Sequence, residues 1–206
     1  MQKLVFFVGI AGTGKSTIAE ALSKEIPNAY IDRDVVGGRF VERMLELNNL
    51  DKNDRDSDFY KKHLRDLEYD TARDICIQNL RLGQHVFMVS PFTAELKDAD
   101  WIEEVLREAG KTRQEVDVKV IVVTLQDLEL QRKRVMARQT TRDEWKLNNW
   151  EQYVQNLQQV PEINWDIPAS SILIYDNSQA LTETQIEGIK EFILQQPEPA
   201  WIKSAL

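Results

Sequence analysis

The chain has 206 residues and a formal net charge of -8, with 42% hydrophobic and 29% charged residues, which fits one domain of ordinary globular composition. Its lone cysteine, Cys76, excludes an internal disulfide framework, and no apolar run is long enough to span a bilayer, so the expectation is a cytoplasmic protein with no membrane partner. The acidic balance makes a long nucleic acid an unlikely partner, because proteins that hold one carry a basic footprint.

Strands and helices alternate along the chain. LVFFV (4–8) is an unbroken apolar run, as in a strand buried on both faces of a parallel sheet. It runs straight into Gly-rich sequence, which argues against a signal peptide. A helix is expected from Lys15 to about Ile26, stopped before Pro27. A short strand, 29–31, leads into Asp32–Arg33–Asp34, and VGGRFVERMLELNN looks helical after its glycines. The polar stretch DKNDRDSD (51–58) reads as a solvated connection, with a loop lining the substrate site as the alternative. One long helix is expected from Phe59 to Leu82, with Tyr60, Leu64, Leu67, Thr71 and Ile75 on its apolar stripe.

HVFMVS (85–90) supplies a third strand, and DADWIEEVLREAG an amphipathic helix closed by a glycine. VDVKVIVVTL (116–125) is the fourth strand, followed by a basic helix to about Arg138. Residues 139–147 have no clear period and are expected to be mobile. NNWEQYVQNLQQV reads as a helix, SILIY (171–175) as the fifth strand and LTETQIEGIKEFILQQ as the last helix, with a proline-broken tail. The alternation predicts a three-layer α/β domain with a five-stranded parallel sheet, residues 1–206 forming a single unit.

GIAGTGKST (9–17) matches G-x-x-x-x-G-K-[ST] through Gly9, Gly14, Lys15 and Ser16. Glycines let successive backbone N–H groups turn toward phosphate oxygens, and the helix that follows aims its unpaired N–H groups and positive end at the same anion. Lys15 is placed to reach the β- and γ-phosphates and Ser16 to ligate Mg²⁺, while Ala11, Gly12, Thr13 and Thr17 complete the nucleotide cradle. The motif sits between a buried strand and a helix, the context it requires. It predicts ATP with Mg²⁺, and the absence of a guanine-reading NKxD tetrapeptide disfavours a GTPase.

Four features together make the chain resemble the P-loop kinase group of the phage-type polynucleotide kinases, zeta toxins and chloramphenicol phosphotransferase. They are GIAGTGKST, YIDRD after the second strand, YDTARDI (69–75), and RKRVMARQTTRD (132–143) after the fourth strand. The resemblance implies a P-loop NTPase fold with a lid at about 134–147. It also implies transfer of the γ-phosphoryl group to a hydroxyl of a small molecule or nucleic-acid 5′ end. By the match of the Arg-Asp pair it gives Asp34 the acceptor hydroxyl, and it gives Arg134, Arg138 and Arg142 the phosphates under the lid, Arg138 first. Residues 127–146 hold six Lys/Arg against four Asp/Glu in an otherwise acidic chain, which agrees with that role. Asp32 is read as a helper near Mg²⁺ or Lys15.

The third strand ends in Ser90-Pro91-Phe92 where many of these kinases carry an acidic residue. That ending and the Asp-x-Asp spacing are similar to adenylylsulfate kinase and gluconate kinase, which remain alternatives, as does an ATP-binding regulator or toxin component with slow hydrolysis. His63 and His85 lack partners at metal spacing and read as structural. Trp145, Trp150 and Tyr153 read as packing, with stacking of a base or ring as the alternative, and Asp176-Asn177 as neighbours of the adenine. Arg39 sits two residues late for a substrate-steadying arginine.

Overall fold

The computed structural model describes residues 1–138, 143–155 and 157–196, with Trp145 by its backbone only. Five strands form one parallel sheet in the order β2-β3-β1-β4-β5, with β1 at Gln2–Val8, β2 at Ala29–Asp32, β3 at Val86–Val89, β4 at Val116–Thr124 and β5 at Ile172–Asp176. Side chains alternate across the sheet. Leu4, Phe6 and Val8 face one layer with Val118, Val120 and Val122, and Val5 and Phe7 face the other with Ile121 and Val123. Burial on both faces is why β1 and the second half of β4, residues 120–123, read as apolar runs. The first half of β4 carries Asp117 and Lys119, buried and paired with each other and, through Asp117, with Lys3.

Helices α1 (Lys15–Ser23) and α10 (Glu183–Leu194) cover the second face through Ile18, Leu22, Ile186 and Ile189. The first face is covered by α5 (Arg65–Arg81) and α6 (Trp101–Ala109). A loop carrying Ile163, Trp165 and Ile167 completes that layer. Trp165 is buried there, 4.9 Å from Phe6 and stacked on Trp101, and donates its indole N–H to the Glu95 carbonyl at 2.8 Å.

The stretch 59–82 is not one helix. It breaks at Leu64 between α4 (Asp58–His63) and α5, and the break rotates the apolar face. Tyr60 and Leu64 are buried with Val41 and Leu45 of α3 (Gly38–Leu47). Beyond the break, Leu67, Thr71 and Ile75 are exposed, while Tyr69, Ala72, Cys76, Ile77 and Leu80 pack on the sheet. The region expected to lack regular structure contains α8 (Glu144–Asn148), and α9 (Trp150–Gln155) follows; α7 is Leu128–Ala137 and α2 is the single turn Arg33–Val36. Residues 139–142 and the tail from 197 lie outside the described residues. Among the described residues no helix is long and apolar enough to cross a membrane.

Candidate active site

All five strands point their C-terminal ends at one edge of the sheet, where open α/β sheets hold ligands. The loop 9–14 after β1 leads straight into α1. Gly14 caps α1 at φ 93° with no side-chain hydrogen bond, and α1 carries no acid in its first turn. Its N-terminal donors are therefore open to an anion. A Cβ at Gly14 would collide with the Asn177 amide, so only glycine fits that turn.

The loop is braced from behind at two points. Gln131 of α7 donates to the Ala11 carbonyl at 2.8 Å, and Asn177, just after β5, donates to the Thr13 carbonyl at 2.8 Å. Asn177 thus commits its amide N–H to the phosphate loop, where the sequence had read a neighbour of the adenine. Asp176 accepts from the Ser178 hydroxyl at 2.7 Å and from the Gln126 backbone N–H at 3.4 Å. Thr13 is fully buried and donates to the Ile10 carbonyl at 3.0 Å.

Lys15 lies in a cleft of about 470 Å³ with Asp34, Arg33, Arg55, Arg138 and Lys146. Five cations and two carboxylates, Asp34 and Asp143, line this cleft in a chain that is acidic overall. Burial, then the nearby Arg138, lowers the Lys15 ammonium to a pKa of about 8, against the opposing pull of Asp34 and Asp32. Burial also raises the Asp32 carboxyl, with Asp34 adding to the effect.

Asp32 ends β2 and does two jobs. One oxygen accepts the Asp34 backbone N–H at 2.9 Å, capping α2, and the other accepts the Ser16 hydroxyl at 3.2 Å. Asp34 itself is half exposed toward the cleft and pairs with Arg33 at 2.9 Å. Ser90, in place of a carboxylate at the end of β3, donates to the Tyr69 hydroxyl at 2.9 Å and accepts from Arg33 at 3.2 Å.

Arg134 and Arg138 part company in the structure. Arg138 follows the last turn of α7 and borders the clefts on both sides of the phosphate loop, whereas Arg134 lines only the one with Gly12, Thr17, Asn177 and Leu181. The Nη1 of Arg134 is buried without a partner among the described residues. Arg142 lies outside the described residues. Asp143 draws the region together, 3.9 Å from Arg138 and 2.8 Å from Lys146. Trp150 and Tyr153 pack on each other within α9 at 5.4 Å, and it is Tyr153, through the Ala11 backbone, that holds α9 beside the loop. Arg39 is exposed on α3. His85 accepts the Lys3 backbone N–H at 2.9 Å and His63 packs on Phe59, both structural roles.

Sequence reasoning gave neither Arg33 nor Arg55 a role of its own, and it set the binding-site reading of 51–58 below the solvated one. The stretch 51–58 is not simply solvated. Asx turns at Asp51 and Asp54 fold it back, and Arg55 enters the cleft over the Tyr60 ring at 5.3 Å. The one signal for it was an arginine among acids, which is equally the mark of a solvated loop.

A family model described as an AAA domain, AAA_33, matches residues 4–160, so it takes in the phosphate loop, Asp34 and α7. Comparison with curated proteins returned no match. Among solved structures, a candidate kinase from Chloroflexus aurantiacus j-10-fl superposes with a TM-score of 0.66 at 17% identity, covering 94% of this chain and 99% of the other. A sugar kinase from Janibacter sp. HTCC2649 gives 0.54 at 16% identity, with 94% of both chains covered. The Thermus thermophilus protein TT1252 gives 0.53 at 19% identity over 94% and 97%. These likenesses establish the three-layer fold. The chain belongs to the AAA_33 family and is a P-loop kinase, a nucleotide-binding transferase.

Proposed function

We propose that this kinase moves the γ-phosphoryl group of ATP to a hydroxyl of a small acceptor. The observation that carries the reading is the convergence of Lys15, Asp34 and Arg138 on one cleft. The Asp34 carboxylate orients the acceptor hydroxyl and takes its proton as the new O–P bond forms and the bond to ADP breaks. Lys15 and Arg138 offset the negative charge spread over the transferred group. A cleft of about 470 Å³ walled by arginines suits a small polar acceptor better than a polymer.

Ser16 and Asp32 offer the hard oxygen donors Mg²⁺ takes, side by side at the entrance to α1. The cation, when bound, neutralises charge on the phosphate oxygens. Gly9, Ala11, Gly12, Thr13, Gly14 and Thr17 hold the nucleotide in this reading, and Arg134, whose Nη1 has no partner among the described residues, faces the same loop. We read residues 1–206 as one domain whose lid spans about 134–147, with Arg142 in that lid. A cytoplasmic site of action agrees with Cys76 being a free, buried thiol.

Labelled ATP offered with nucleosides, sugars, antibiotics and 5′-hydroxyl oligonucleotides tests the reading. One small acceptor should become labelled, and Asp34→Asn should slow that transfer by about 10² to 10⁴-fold. Arg138→Ala should slow it by roughly 10³-fold or more. If ATP is hydrolysed but no hydroxyl is labelled, the protein is an ATP-dependent switch and the proposal fails.

A further inference from the structure

We propose that Arg33 is a positioning residue that fixes the Asp34 carboxylate for the acceptor, an inference that rests on the reading of Asp34 given above. The Arg33 side chain is only 12% exposed. Its Nε donates to Ser90 Oγ at 3.2 Å, and its Nη1 donates to the Tyr60 hydroxyl at 3.0 Å and to Glu68 Oε2 at 2.8 Å. The guanidinium also lies over the Tyr69 ring at 4.9 Å. The end of β3, α4 and α5 thus all grip one side chain. The remaining nitrogen, Nη2, reaches Asp34 Oδ1 at 2.9 Å.

An ion pair with one partner half in water is worth little when both side chains must be ordered to make it. Here the arginine is ordered already. Its planar fork is held by buried partners, so the carboxylate gains direction at little further entropy cost. The Asp34 backbone is fixed separately, through the cap that Asp32 makes on its N–H at 2.9 Å. Backbone and carboxylate are therefore set by different residues.

Glu68 is the anchor. It is 1% exposed, and it accepts from Tyr60 at 2.6 Å as well as from Arg33. The second of the two adjacent glycines is unconstrained, but a Cβ on Gly37 would come within 2.8 Å of the Glu68 Cγ. Gly37 is what allows α2 to approach the anchor. If the Arg33–Glu68 pair only tied α2 to α5, the contact from Nη2 to the cleft would be superfluous.

The test uses the full-length protein, labelled ATP and whichever acceptor the panel above yields. Arg33→Met, Arg33→Lys and Glu68→Gln are compared, with Arg33→Met also combined with Asp34→Asn. Positioning predicts that Arg33→Met lowers kcat on the order of 100-fold, the scale of a small misplacement of a reacting group. KM for ATP should stay unchanged. Lysine should restore little, since it cannot serve Ser90, Glu68 and Asp34 together. The double variant should be no slower than Asp34→Asn alone. Glu68→Gln should lower kcat in the same direction, and it decides the matter if Arg33→Met does not fold. Full kcat in a folded Arg33→Met or in Glu68→Gln overturns the inference, as do losses that multiply in the double variant. A wild-type enzyme that labels no hydroxyl overturns the reading of Asp34 instead, so the two failures are distinct.

Discussion

Lys15 carries a cost in the nucleotide-free protein that ATP relieves. With its pKa lowered to about 8 by burial and by Arg138, the folded state holds the Lys15 proton less tightly than the unfolded chain does. Between about pH 8 and the ordinary lysine range near 10.4, the unfolded state binds more protons, so stability rises with pH across that window. Below about pH 8 the full penalty is present. Phosphate binding requires the ammonium, so ATP binding above pH 8 should take up a proton. Affinity should weaken as pH climbs from 7 to 10, approaching tenfold per unit at the upper end by about 1.4 kcal/mol per unit. Calorimetry of ATP binding at pH 7 and 9, in buffers of different ionisation heat, reads the proton uptake directly. Lys15→Met should abolish the uptake and remove this residue's share of the rise of nucleotide-free stability with pH, leaving the share of the buried Lys119, whose pKa is also lowered by burial.

The phosphate loop is an element that cannot hold its own shape. Its carbonyls at Ala11 and Thr13 point back toward Gln131 and Asn177, and α1 begins without a side-chain cap. Removing one brace leaves a buried carbonyl unpaired, worth about 1–3 kcal/mol. Asn177→Ala should therefore raise KM for ATP and lower stability by that amount, checked by steady-state kinetics and urea unfolding. Gly14→Ala should be more severe for nucleotide binding, because it forces an L residue to φ 93° and against Asn177. The break between α4 and α5 belongs to this scale too. Without it, Tyr60 and Glu68 would belong to one continuous helix, and the turn at Leu64 is what lets both meet Arg33.

Across the whole molecule, the loop 157–170 is bound as firmly as a regular element. Gln159 accepts the Leu125 N–H at 2.9 Å and donates to the Leu125 carbonyl at 2.6 Å, and Asn164 donates its backbone N–H to Leu96 at 2.8 Å. Trp165 then closes the core over Phe6 and Trp101. Trp165→Ala should cost roughly 3–5 kcal/mol, with the phosphate cradle left intact. Chemical denaturation with and without ATP separates the two effects. Stability should fall in both series, while the increment due to ATP persists.

Local pattern was enough for much of this protein. Two-sided burial wrote β1 and the second half of β4 as apolar runs, and the glycine, lysine and serine of GIAGTGKST follow from the geometry of a loop that turns its N–H groups inward. The alternation of elements gave the parallel sheet, while Asp34 and Arg138 were singled out through the resemblance carried by YIDRD and by the basic run after the fourth strand. Long-range contacts were not legible. Glu68 lies 35 residues from Arg33 and looked like any surface glutamate on a helix; Arg55 looked like part of a solvated loop. A charged residue does not announce its partner, since Coulomb attraction and burial depend on distances that only the folded chain sets. The sequence alone thus determined a nucleotide-binding P-loop kinase. The tertiary structure decided what surrounds Asp34, because that environment is assembled by α4, α5 and the end of β3 converging on a single guanidinium.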